Sequence, residues 1–175
     1  MILLLPLSLA TALARLGAKL LVRRGVGAAR PWDSWSAALA AGVATVYVAT
    51  GVTHFVEPQR SGLEAIVPSA IPWPGAAVTA SGIAEFAIAV GLLAPKTRRW
   101  AAIASIALLI ALFPSNVVAA SGVDHPAAPS TPLLPRAGLQ VALLLASAAA
   151  LSPSTARPFP ARPSTLRRSS LESEG

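Results

Sequence analysis

The sequence predicts an all-α integral membrane protein, a four-helix bundle with both termini in the cytoplasm. Three observations carry this. First, 54% of the 175 residues are hydrophobic, only 12% are charged and mean hydropathy is +0.65. A soluble domain carries about twice that charge, roughly a quarter of its residues. Second, the apolar residues gather into four runs, each long enough to cross ~30 Å of hydrocarbon at ~1.5 Å per residue. In lipid such runs must be helical, because their backbone groups have to be satisfied within the segment. Third, the basic residues are distributed unevenly among the links between the runs.

Residues 1–35 form a basic and apolar N-terminal extension. Its first fourteen residues are apolar but too short to span, and no basic stretch precedes them as in a signal peptide. With Arg15, Lys19, Arg23 and Arg24 following, an interfacial amphipathic helix is expected in preference to a fifth span. Residues 36–151 form the membrane domain, with spans at about 36–56, 75–94, 100–120 and 133–151. Proline marks the breaks: Glu57-Pro58, then Pro68, Pro72 and Pro74, then Pro95, then Pro126, Pro129 and Pro132. A proline cannot continue a helix without losing a hydrogen bond. Residues 152–175, rich in Ser, Pro and Arg, read as a disordered cytoplasmic tail. Within it, Arg167-Arg168-Ser169-Ser170 resembles a phosphorylation site, with solvated low-complexity sequence as the plainer reading.

Twelve of the fourteen basic residues precede the first span, separate the second from the third, or follow the fourth. Arg60 and Arg136 are the other two. The positive-inside rule then puts both termini in the cytoplasm of a plasma-membrane protein, provided there are four spans. Trp32, Trp35, Trp73 and Trp100 fall at span ends, as an interfacial aromatic belt requires.

Composition also excludes. Without cysteine there is no disulfide, thiolate metal site or cysteine nucleophile. His54 and His125 leave little for a metal or haem, and no metal site is expected; His125 is placed in an exposed, solvated loop. The net charge of +7 flanks apolar runs rather than aromatic-rich surface, so no nucleic-acid partner is expected.

Glu85 is the one charged residue in the run 75–94 and falls near its middle. An ionisable group at that depth costs a few kcal/mol or more unless paired, protonated or wetted. The predicted topology brings other polar groups to similar depth in the outer half: Tyr47 and His54 on the first span, Asn116 on the third, Arg136 and Gln140 on the fourth. Tyr47, Thr50, Gly51 and His54 share one helical face, and Ser81, Gly82 and Ala89 surround Glu85 on its own. Pro114 would kink the third span just before Asn116. The cluster reads either as a structural clamp, with Glu85 paired to Arg136 or hydrogen-bonded to Tyr47 or His54, or as a proton, quinone or small-ligand site. Ser81 has no base at a diagnostic spacing, so a hydrolase triad is not expected.

The same residues carry a resemblance. Gly51-Val52-Thr53-His54-Phe55-Val56-Glu57-Pro58 is followed by Ile66-Val67-Pro68, Ser81-Gly82-Ile83-Ala84-Glu85 and Gly91-Leu92-Leu93-Ala94-Pro95-Lys96. Phe113-Pro114-Ser115-Asn116 and Arg136-Ala137-Gly138-Leu139-Gln140 complete the order. Over roughly residues 40–150 the chain resembles the DoxX-like family of small four-helix membrane proteins, whose common pattern has a proline where this chain has Ala137. The resemblance implies a four-helix bundle. It also implies company with a subunit tied to thiosulfate oxidation and quinone reduction and with a receptor-assembly chaperone.

Three functions follow as expectations. The first is a non-catalytic membrane subunit or assembly factor that binds another membrane protein or an oxidoreductase subunit, an oligomer being compatible. The second is a redox-linked quinone-binding protein in which Glu85 exchanges protons and His54 or Tyr47 binds a quinone carbonyl. The third, a small-solute or proton carrier, needs a route through an inner half that has few polar residues.

Overall fold

A computed structural model describes residues 4–152; the rest of the expected tail, with its Arg-Ser motif, lies outside the described residues. All regular structure there is helical. The order is α1 (Leu4–Arg23), a 3-10 helix (Gly27–Trp32), α2 (Trp35–Thr53), α3 (Gln59–Ala65), α4 (Pro74–Leu93), α5 (Arg98–Ala120) and α6 (Leu133–Ala150). Helices α2, α4, α5 and α6 overlie the four apolar runs. Helix α2 contacts α4 and α6, α5 contacts α4 and α6, and α1 packs on α2. The four thus close a ring with α1 laid against its outside.

Five helices among the described residues, not four, are long and apolar enough to cross a membrane. The fifth is α1, where the sequence predicts an interfacial helix rather than a span. Its apolar character continues past Arg15 because the charge is met locally. Arg15, midway along α1, pairs with Asp33 and lies 5.6 Å from the Trp35 ring centroid, a partnership that offsets its charge within an apolar helix. The parity argument that put both termini on one side counted four spans, and it does not carry over to five.

Helix α1 runs antiparallel to α2, with Arg15 beside Asp33 and Trp35 and Thr11 beside Gly42. A Cβ at Gly42 would collide with Thr11 Oγ1 and the Leu7 carbonyl, so the helices meet closely there because position 42 is glycine. At this end of the ring Ala40, Val43, Leu92 and Ala102 are 0% exposed. Arg98, at the start of α5, is also buried here. It donates to Leu92 O (3.1 Å) and Pro31 O (3.4 Å) and stacks 4.9 Å from the Trp32 centroid. A residue that the sequence presents as a topogenic surface charge is therefore also a tie between α4, α5 and the 3-10 helix.

At the opposite end the link 54–73 folds back over the ring. Ser34 caps α2 at its other terminus by accepting from Ala37 N at 3.1 Å. Arg60 of α3 donates to His54 O (2.9 Å), Thr79 Oγ1 (3.1 Å) and Gly75 O (3.2 Å), and pairs with Glu64 at 3.0 Å. One guanidinium thereby holds the end of α2 to the start of α4. Trp73, which precedes α4, takes a left-handed backbone with φ of 55°, a conformation costing roughly 1–2 kcal/mol in a non-glycine residue.

Candidate functional site

At the α3 end the ring encloses a cavity of about 460 Å³, lined by residues of α2, α3, α4, α5, α6 and the link 129–131. Tyr47, His54, Glu85, Asn116, Arg136 and Gln140 all line it. They do not form one hydrogen-bonded cluster; they divide into three groups.

The first group follows from how α2 ends. The His54 N–H turns back to Gly51 O at 3.2 Å, which leaves the Thr50 carbonyl without its usual donor four residues on. Two side chains fill that place. Thr53 Oγ1 donates to Thr50 O at 2.6 Å and His54 Nδ1 does so at 3.0 Å. A carbonyl only accepts, so Nδ1 carries the proton. Thr50 Oγ1 lies 2.6 Å from Glu85 Oε2, while His54 Nδ1 is 4.0 Å from the same oxygen. Gly82 lets α4 approach: a Cβ there would sit 2.6 Å from His54 Cβ. His54 is 7% exposed and Glu85 5%, so both are held within the protein at the cavity wall.

The second group is a chain of hydroxyls. Tyr47 OH is 2.7 Å from Ser105 Oγ, which is 2.8 Å from Ser147 Oγ. Both serines are 0% exposed. The chain joins α2, α5 and α6 and runs from the cavity into the packed end. The third group binds α5 to α6. Asn116 Nδ2 donates to Gln140 Oε1 (3.0 Å), and Arg136 Nη1 donates to Asn116 Oδ1 (3.2 Å). Gln140 Nε2 donates to Leu109 O at 2.5 Å, one turn before Pro114. Arg136 also donates to Thr131 O and Pro129 O, both at 2.7 Å, which pins the preceding link.

The Glu85–Arg136 pair considered from the sequence does not form; Arg136 is committed to Asn116 and the link, and Thr50 is the partner of Glu85. Tyr47 turns to Ser105 rather than Glu85. His125 lies outside this cavity, half-buried rather than exposed, and accepts from Ala127 N at 3.2 Å. Sequence reasoning passed over Ser105, Ser147 and Arg60. For Ser147 the signal was the lone hydroxyl of the run 133–151 and for Ser105 a hydroxyl flanked by apolar residues; for Arg60 it was a cation on the side with few basic residues.

Apolar helices of spanning length surrounding a cavity with an interior carboxylate define a multi-pass helical membrane protein. Residues 43–152 match the family described as Domain of unknown function (DUF8561). With most of its length matched, the chain belongs to that family. The match takes in every cavity-lining residue and leaves out α1. No curated protein matches the chain, and no solved structure does.

Proposed function

We propose that this protein is a multi-pass membrane protein that binds a small lipophilic ligand in the cavity at the α3 end, without catalysing a reaction on its own. The cavity carries the reading. Its volume, about 460 Å³, falls within the range of small-molecule sites, ~300–1,000 Å³, and such sites pair apolar walls with a few placed polar groups. Here the walls are Val46, Leu63, Ile66, Leu109, Leu112 and Leu143, and the polar groups include Glu85 and His54. The ordered motifs support placing the chain beside the DoxX-like proteins. The excess of basic residues at the packed end supports a plasma-membrane orientation with that end cytoplasmic and the cavity toward the outside.

Saturable binding of a hydrophobic hydroquinone, the hydrogen-bond-donating reduced form of a quinone, to the chain in lipid nanodiscs tests this. Wild type should bind, and Leu143→Trp, which fills the cavity, should reduce binding at least about tenfold. Unsaturable uptake equal to that of empty nanodiscs would remove the ligand reading, and with it the redox-linked quinone variant.

The second reading is a membrane subunit or assembly factor whose polar groups act as a clamp. The completeness of the Asn116–Gln140–Arg136 set favours it. A Glu85→Gln chain that folds and still co-purifies with its membrane partner supports this reading, and loss of that partner from a stable, inserted variant opposes it. A carrier function has least support, because the packed end offers no continuous polar route beyond Ser147 among the described residues.

A further inference from the structure

Resting on the ligand-cavity reading, we propose that the cavity selects lipophiles whose polar head donates a hydrogen bond, a phenol or an alcohol. His54 Nε2 and Glu85 Oε1 are the atoms that receive it. The inference comes from counting donors and acceptors on the wall formed by α2 and α4. Thr53 Oγ1 donates to Thr50 O, and Ser81 Oγ donates to Val78 O at 2.9 Å. Tyr47 OH is paired with Ser105, and His54 Nδ1–H is given to Thr50 O. Thr50 Oγ1 has one proton, with Glu85 Oε2 at 2.6 Å and Val46 O at 3.0 Å both in reach. The donors on this wall are therefore committed within the protein.

Two acceptors are left over. Glu85 Oε1 and His54 Nε2 make no hydrogen bond to the described residues, and their side chains are more than nine-tenths buried. Glu85 Oε1 accepts as a carboxylate oxygen, and equally as a carbonyl oxygen when the proton lies on Oε2 facing Thr50. His54 Nε2 accepts because the ring is neutral. An imidazolium buried there would need a counter-charge. Glu85 is engaged with Thr50 and stands 4.0 Å from Nδ1, while the Arg60 guanidinium contacts the His54 carbonyl. The other ionisable groups around the site are Tyr47 and, across the cavity, Arg136. An ammonium head would give up its hydration in a largely apolar cavity and meet the field of Arg136, with Glu85 the one carboxylate among the lining residues and Glu64 already paired with Arg60. A neutral hydroxyl gives its one proton to one of the surplus acceptors, or shares it between them, without that repulsion. A ligand whose head only accepts, such as a ketone or an ether, would leave both acceptors buried and unpaired.

The test is equilibrium dialysis of the full chain in lipid nanodiscs against para-hexylphenol and its methyl ether, para-hexylanisole. Each is corrected for uptake by protein-free discs. The phenol should bind about tenfold more tightly than the ether, because a site with unpaired polar atoms discriminates strongly against a ligand lacking the partner group. In a chain carrying both His54→Phe and Glu85→Leu, which removes both acceptors, the preference should fall to within about twofold. The wild-type comparison needs no variant to fold. Equal binding of phenol and ether, or a preference for the ether, overturns donor selection while leaving the ligand cavity standing. Tighter binding of para-hexylbenzylamine, protonated at neutral pH, than of the phenol overturns the neutral-hydroxyl assignment. Absence of saturable binding by every probe, the hydroquinone included, overturns both.

Discussion

Where α1 and the 3-10 helix meet the ring, Ala40, Val43, Leu92 and Ala102 are 0% exposed; at the α3 end the same four helices stand round a cavity of about 460 Å³. The difference lies in which residues face inward. Small side chains allow backbones to approach closely, and dispersion then holds the helices together. At the other end the longer side chains of Tyr47, His54, Glu85, Arg136 and Gln140 line the inside, even though α2 and α4 still meet at Gly51 and Gly82. Most of the hydrogen bonds of these side chains run along the walls, to Thr50, Asn116 and the 129–131 link, while Tyr47 reaches across the ring from α2 to Ser105 on α5. Polar groups satisfied along the walls hold the cavity open, because collapsing it would require new partners for each of them. One end is thus held by packing and the other by hydrogen bonds.

That contrast can be broken most forcefully by volume. Ala102→Leu, in the packed end, should destabilise the chain by about 1–3 kcal/mol, the usual cost of overpacking. Ala77→Leu adds the same atoms beside the cavity and should change stability by less than ~0.5 kcal/mol, which unfolding in mixed detergent micelles would measure. Equal effects would remove the distinction between the ends. Gly42→Leu should separate α1 from α2 at a cost of about 2 kcal/mol. Protease accessibility of the link 24–34 would rise while the ring helices stay protected.

Smaller effects belong to the hydrogen-bonded end. Tyr47→Phe removes the first member of the hydroxyl chain and should cost about 1 kcal/mol, leaving Ser105 and Ser147 to pair with each other. A double-mutant cycle on Asn116→Leu and Gln140→Leu should give a coupling of about 0.6–1 kcal/mol, the range of interhelical hydrogen bonds in lipid. Smallest of all, Arg15→Gln should cost a few tenths of a kcal/mol, since the Arg15–Asp33 pair is partly exposed. Added salt should erase that difference.

The six-residue cluster was legible as a depth coincidence, because regular helices of known pitch convert sequence position into height. Partner choice was not legible. Glu85 and Arg136 look like natural partners in sequence. Yet Arg136 sits one turn from carbonyls of a Pro-rich link that lack helical donors, and it satisfies those instead. Thr50 reaches Glu85 because Gly51 and Gly82 bring α2 and α4 together, a contact between residues far apart in the chain. That α1 is long and apolar enough to be a fifth span was hidden for a related reason. A cation in an apolar segment reads as a stop when taken alone, and Asp33 and Trp35, which offset it, return to its side only when α2 folds back.

The amino-acid sequence by itself determined that the chain is helical, lives in lipid and carries a polar set at one level. Apolar run length and backbone satisfaction require no tertiary information. Only the tertiary structure decided which donors are spent and which acceptors remain. Hydrogen-bond pairing depends on the rotation and closeness of neighbouring helices, and it is this pairing that leaves His54 Nε2 and Glu85 Oε1 facing a cavity.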